Sequence, residues 1–283
     1  MQTMERQSVA PVRPTVAPVH PPRRWRVPWP VAFYRSAIGK KWVMAVTGIL
    51  LMAYVFAHMV GNFHLYQGAR EINEYGEFLR ELFVPLLPRT VTLWILRAGL
   101  IAAFALHIHA AYALTRMNRR ARAAGHYVAP RDWQAANAAS RSMRWTGVVI
   151  ALFVLWHLAD LTWGTVNPDF VRGDVYRNLV ASFERPANAA VYIVANIALA
   201  LHLFHGAWAL FQSLGLNNPR WNSWRRGFAS GFAGVVLVGN LTFPIAVLTG
   251  WISADDNPDC LVVGGTIETC ELYEDQPLEG VEQ

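Results

Sequence analysis

The residues of this chain best placed to do chemistry are its histidines. There are nine, and seven of them (His58, His64, His107, His109, His157, His202 and His205) fall in or beside long apolar runs. An ionisable ring at membrane depth is costly, so it faces a partner, a cavity or a metal. Imidazole is also a common axial ligand of haem iron, one ring from each side, so paired histidines on different helices are what a bundle needs to hold such a cofactor. His20 and His126 lie in polar stretches and are assigned no role.

The elements that must carry these rings are apolar spans. Hydrophobic residues make up 54% of the chain and charged residues 16%, with 12 Trp and a mean hydropathy of +0.22, which points to a membrane protein. The net charge of +6 does not indicate nucleic acid, because the basic residues are confined to particular loops between apolar runs. Five spans are expected, at about 42–66, 90–115, 143–166, 188–213 and 229–251, each near the ~20 residues a bilayer requires. Their apolar runs are continuous rather than alternating, so the fold class is an all-α integral membrane protein and not a barrel. Residues 1–30 carry seven prolines and nothing resembling a cleavable signal peptide. The expected organisation is a disordered arm over 1–33, a five-helix membrane anchor over 34–251 and an acidic tail over 252–283.

Loop charge sets the expected orientation. Residues 1–41 hold eight Lys/Arg against Glu5, 116–144 hold seven Arg against Asp132, and 215–226 hold Arg220, Arg225 and Arg226 without an acid. The alternate segments are different: 67–89 has three Arg against four Glu, 166–187 balances three against three, and the tail from 252 has nine acids and no base. The positive-inside tendency then makes the N-terminus cytoplasmic and the C-terminus external, in a cell inner (cytoplasmic) membrane.

Sorted by depth, the histidines form two layers. His58 and His157, in the first and third spans, lie at matching depth about 12–14 Å from the outer end. His107, His109, His202 and His205, in the second and fourth spans, lie nearer the inner end. His107 and His109 are about 200° apart on a helix, so only one can face a given cofactor, whereas His202 and His205 are about 60° apart and either can. His64 is expected to be a wetted interfacial group. Two charges lie inside spans, Arg97 and Asp160; they are expected to pair, to snorkel separately, or, for Arg97, to meet an anionic group such as a haem propionate.

At this point the motifs resemble a family. S-x-I-G-K-K-x-x-M-A-x-T-G at 36–48, H-M-x-G-N at 58–62, L-H-I at 106–108, L-T-R-x-N-R-x-A-R at 114–122, H-L-A-D at 157–160 and H-L-F-H-G with F-Q-S-L-G across 202–215 are similar to the single-chain cytochrome b membrane anchor of succinate:quinone oxidoreductases and fumarate reductases. The resemblance covers about residues 34–250. It implies an anchor for a flavoprotein and an iron–sulfur protein on the cytoplasmic face, passing electrons to membrane quinone through one or two haem b groups. It also implies axial ligation of an inner haem by His107 and His202 and of an outer haem by His58 and His157. Tyr34, Arg35, Ser36, Lys40 and Trp42, polar and aromatic residues where the first span meets that face, are candidate quinone contacts. Nothing here resembles a flavin fingerprint or a cluster-binding Cys run, so succinate chemistry is expected on a partner subunit. Higher oligomers of the complex stay open.

The tail departs from the family. Cys260 and Cys270, the only cysteines, flank L-V-V-G-G-T-I-E-T, two β-prone triplets about a Gly-Gly, which is a hairpin signal. Three readings follow: a disulfide, a structural zinc site, or a Rieske-type [2Fe–2S] centre in which Cys260 and Cys270 join His58 and His157 in place of the outer haem. The rival functions are a membrane cytochrome b of another respiratory dehydrogenase, an anchor without a redox centre, and a transporter. The last is disfavoured because Pro244 is the sole mid-span proline noted.

Overall fold

Backbone polar groups in lipid must be satisfied within their own segment, so long apolar runs fold as helices. The computed structural model describes residues 28–123, 138–216 and 218–254, with the strand backbones of 260–263 and 266–270. A short helix α1 (Trp29–Arg35) turns into α2 (Ala37–Asn62), and a 3-10 turn, Phe63–Gln67, leads on to α3 (Ala69–Glu81). Then follow α4 (Val91–Ala123), α5 (Ala138–Leu161), α6 (Val175–Phe183) and α7 (Pro186–Ser213). A second 3-10 turn, Pro219–Trp221, leads into α8 (Asn222–Leu248). Among the described residues five helices, α2, α4, α5, α7 and α8, are long and apolar enough to cross a membrane. The chain is therefore a multi-pass helical membrane protein. Leu50, Ile95, Ile101, Leu152, Val194 and Val238 stand exposed on the outer faces of these helices, as lipid contact requires.

The spans pair off: α2 packs on α4, α5 on α7, and α7 on α8, with α2 also reaching α7 and α8. The corner before α2 is tightly made. Ser36 caps α2, its Oγ accepting from the Gly39 N–H at 2.9 Å and donating to the Phe33 carbonyl at 2.7 Å. Lys40 Nζ donates to the Tyr34 and Arg35 carbonyls at 2.9 and 2.8 Å, taking up acceptors that the end of α1 leaves bare. A Cβ on Gly39 would sit 2.0 Å from the Phe33 carbonyl oxygen. Gly39→Ala is therefore expected to destabilise by an amount at the upper end of about 1–3 kcal/mol, because the atom met is backbone. Gly99→Ala, with nothing within 4 Å, is the neutral control, and thermal unfolding in detergent compares them.

The structure changes three expectations. The sequence suggests an arm over 1–33, but α1 already begins at Trp29; residues 1–27 lie outside the described residues. The apolar pattern of the third span suggests about 143–166, but α5 stops at Leu161, where the Thr162 and Trp163 N–H groups both return to the Leu158 carbonyl and Gly164 turns the chain at φ +71°. The segments 67–89 and 166–187, read as loops, contain α3 and α6.

Asn73 locks those two short helices together. Its Oδ1 accepts from the Val175 and Tyr176 N–H groups at 2.7 and 3.2 Å, and its Nδ2 donates to Asp174 Oδ1 at 3.1 Å. Asp174 in turn caps α6, accepting from the Arg177 N–H at 3.0 Å. Beneath them Met59, Leu65, Ile72, Tyr176, Val180, Phe183, Tyr192 and Phe243 form a continuous buried core at the His64 end of the bundle. Beyond the fifth span, β1 (Cys260–Val263) and β2 (Thr266–Cys270) pair antiparallel with Cys260 opposite Cys270. The sulfur chemistry expected of Cys260 and Cys270 lies outside the described side chains.

Candidate functional site

The helix pairing brings four histidines into two cross-helix pairs with steeply inclined rings. On α4 and α7, His107 and His202 have ring centres 6.4 Å apart with planes inclined at 62°. On α2 and α5, His58 and His157 have ring centres 5.9 Å apart at 58°. Each pair joins helices distant in sequence, so the bundle itself sets the spacing.

Those spacings can be compared with what a metal bound by one ring from each helix would need. With about 2 Å from metal to nitrogen on each side, and ring centres slightly further back, the centres fall ~6 Å apart. Both pairs fit. His157 Nδ1 is buried without a hydrogen bond, and its ring packs against Phe153 and Tyr192, with centres 5.8 and 5.9 Å away. Among the described residues no group of three or more His, Cys, Asp or Glu gathers as a polydentate metal site; two imidazoles from separate helices suit a macrocycle-bound iron better than a bare ion.

The inner pair has neighbours that the sequence reading missed. Thr47 Oγ1 lies 3.1 Å from His107 Nδ1, and Thr146 Oγ1 lies 3.2 Å from His202 Nδ1. Gly48 and Gly147, the next residues, lie against Cε1 of the same two rings. The signal was present as an internal repeat: Thr-Gly followed by His, with the Thr and His eleven residues apart, at 47–58 and again at 146–157. Eleven residues are about three turns and ~16 Å, which returns nearly to the same helix face. α2 and α5 thus each support a ring of one layer and supply a ring to the other.

The remaining expected residues sort as follows. His109 faces away from His107 and reaches α1, where its Nδ1 hydrogen-bonds the Tyr34 hydroxyl and the rings stack with centres 5.8 Å apart. His205 does not join the inner pair; it is buried beside Phe204. Of the five candidate quinone contacts, Ser36 and Lys40 are used in the α1–α2 corner, with Lys40 Nζ also 5.2 Å from the Tyr34 ring centre. Arg35 and Trp42 remain exposed.

Two expectations are corrected. His64 is half-buried rather than fully wetted: its ring stacks on Tyr75 of α3 with centres 4.6 Å apart, and its Nδ1 is buried. Arg97 does not pair with Asp160. Asp160 is fully buried and accepts from Ser182 Oγ at 2.6 Å, Tyr192 Oη at 2.8 Å, Asn188 Nδ2 at 3.0 Å and Arg185 Nη2 at 3.3 Å. The reason is the helix pairing: α5 lies against α6 and α7, which carry these partners or end beside them, whereas α4 lies against α2. The Arg97 guanidinium instead lies 5.1 Å from the Trp94 ring centre.

Fold and site together define a helical membrane protein whose spans bring two histidine pairs together in its interior. Residues 114–241 match the family model described as succinate dehydrogenase/fumarate reductase transmembrane subunit, so that part of the chain is similar to a membrane anchor of the kind the motifs indicated. No curated protein and no solved structure matches the chain.

Proposed function

We propose that this chain is the membrane anchor and electron-transfer subunit of a succinate:quinone oxidoreductase. Haem b, held by His107 with His202 and by His58 with His157, supplies one-electron transfer between a soluble iron–sulfur partner and membrane quinone. The observation that carries this reading is the pair of cross-helix histidine couples at 6.4 and 5.9 Å. A flavoprotein partner oxidises succinate, and the Arg-rich end of the bundle, carrying Lys40, Lys41 and the α4 and α8 arginines, is the cytoplasmic docking side. The C-terminus is then external.

The protein's own part is to fix ring orientation and exclude water. Two rings from separate helices cannot approach unless α2, α4, α5 and α7 pack, and the α3–α6 core closes the His64 end. Quinone reaches the inner end beside Tyr34, which is oriented by His109, with Arg35, Ser36, Lys40 and Trp42 around it. Arg97, exposed on α4 and charged at membrane depth, is placed to meet a propionate. The opposition of Cys260 and Cys270 in the hairpin register favours a second reading for the outer layer alone, a Rieske-type [2Fe–2S] centre with His58 and His157.

A reduced-minus-oxidised spectrum of the purified complex, with haem extracted and counted, tests the reading. The expected result is sharp b-type α bands and two haems per chain. One haem with a Rieske EPR signal selects the second reading, and neither signal leaves a bare anchor and overturns both.

A further inference from the structure

We propose that Thr47 and Thr146 are matched positioning residues that hold the inner histidines with the ring proton on Nδ1, so that Nε2 is the bare ligand nitrogen, and that they set the redox poise of that centre. This rests on the reading of His107 and His202 as ligands given above.

The assignment follows from counting donors. A threonine hydroxyl has one hydrogen and two lone pairs. Thr47 Oγ1 gives its hydrogen to the backbone, 2.7 Å from the Val43 carbonyl and 3.3 Å from the Met44 carbonyl. Thr146 Oγ1 does the same, 3.1 Å from the Ser142 carbonyl and 3.2 Å from the Met143 carbonyl. With its hydrogen committed to the helix, each hydroxyl can meet the facing imidazole only as an acceptor. His107 and His202 must therefore donate from Nδ1 across 3.1 and 3.2 Å. A neutral imidazole that donates from Nδ1 presents its lone pair on Nε2, at the far edge of the ring.

Two features show that this is built rather than incidental. Both hydroxyls are buried, Thr47 5% and Thr146 7% exposed, where a polar group without a partner is costly. The same arrangement is made twice, by helices at equivalent places in the internal repeat, onto the two members of one histidine pair. The outer layer has no such device at His157, whose buried Nδ1 makes no hydrogen bond.

An N–H donated to an oxygen makes the imidazole a more basic ligand and fixes its rotation. More electron density on the iron favours the oxidised state, so each threonine lowers the midpoint potential of the inner centre. Thr47→Val and Thr146→Val keep the branched shape and remove the acceptor; Thr47→Ser and Thr146→Ser keep the acceptor.

The test is a redox titration of the inner α band in the whole complex, with EPR of the ferric state and a haem count. Both Val variants are expected to raise the inner midpoint potential and alter the ferric EPR signal, or to loosen haem by about 10-fold. The outer centre should not move, and the Ser variants should behave as wild type. The proposal is overturned if Val variants with full haem keep the wild-type potential and EPR signal, or if Ser and Val variants lose haem alike, which would mean that shape matters and the hydroxyl does not. A wild-type complex without b-type bands overturns the proposed function, and this inference with it. Wild-type bands with unmoved Val variants overturn this inference alone.

Discussion

His107→Ala should abolish the inner haem band and cut succinate-dependent quinone reduction on the order of 100-fold or more, while succinate oxidation by a soluble dye stays near wild type. The ring is one of two paired across the bundle at 6.4 Å, and no neighbouring histidine can substitute for it. His109 is turned to Tyr34 on α1, and His205 lies off the pair. Loss of a ligand itself costs more than the ~10–100-fold typical of losing the group that orients one. Because succinate is expected to react on a partner subunit, the two activities should separate. The double variant His58→Ala with His157→Ala should separate them in the same way while leaving the inner band in place. Equal loss of dye-linked and quinone-linked activity in a fully assembled complex would refute the electron path. His109→Ala is the useful contrast: it should leave both haem bands intact and, if Tyr34 meets quinone, raise KM for quinone.

Much of this site was legible in the sequence because depth along a span is a one-dimensional quantity. Counting 1.5 Å per residue put His58 level with His157 and put the other four rings in a second layer, and the structure brings one ring from each helix together at both levels. Azimuth was less legible. The 200° between His107 and His109 showed that they part company but did not say which faces inward, and that depends on which helix packs on which. The same gap explains Arg97 and Asp160. Both lie at similar depth, yet they sit on helices with different packing partners, and Arg185, which does reach Asp160, looked like an ordinary loop charge. The α3 and α6 segments were obscured for a different reason: their apolar residues are few and spaced for one-sided burial, so a reading tuned to continuous apolar runs passes over them. Thr47 and Thr146 were hidden in plain view, since threonine in a membrane helix usually does no more than bond its own backbone.

Arg185→Ala should destabilise the protein by about 3 kcal/mol, more than any surface charge deletion. Asp160 is fully buried, and removing one partner of a buried ion pair leaves an uncompensated charge that costs ~3–5 kcal/mol. The lower end applies here for two reasons. The Arg185 side chain is 35% exposed, and Ser182, Tyr192 and Asn188 continue to donate to the carboxylate. Arg185 does more than neutralise, however. Its Nε and Nη1 also donate to the Ala181 and Val166 carbonyls at 3.2 and 3.1 Å, so it ties the end of α6 and the turn after α5 to the start of α7. Arg185→Lys should recover only part of the loss, because an ammonium cannot reproduce a planar fork directed at three acceptors. Arg70→Ala, which removes an exposed pair with Glu74, should cost under about 1 kcal/mol. The strain should also be felt at the outer centre, since Tyr192 donates to Asp160 and packs against the His157 ring. Thermal unfolding should therefore show a midpoint several degrees lower for Arg185→Ala, and the outer redox centre alone should broaden spectroscopically. If the midpoint is unchanged, the Asp160 cluster is held by its neutral donors alone; if the inner centre broadens instead, Tyr192 is not the link between the carboxylate and the ring.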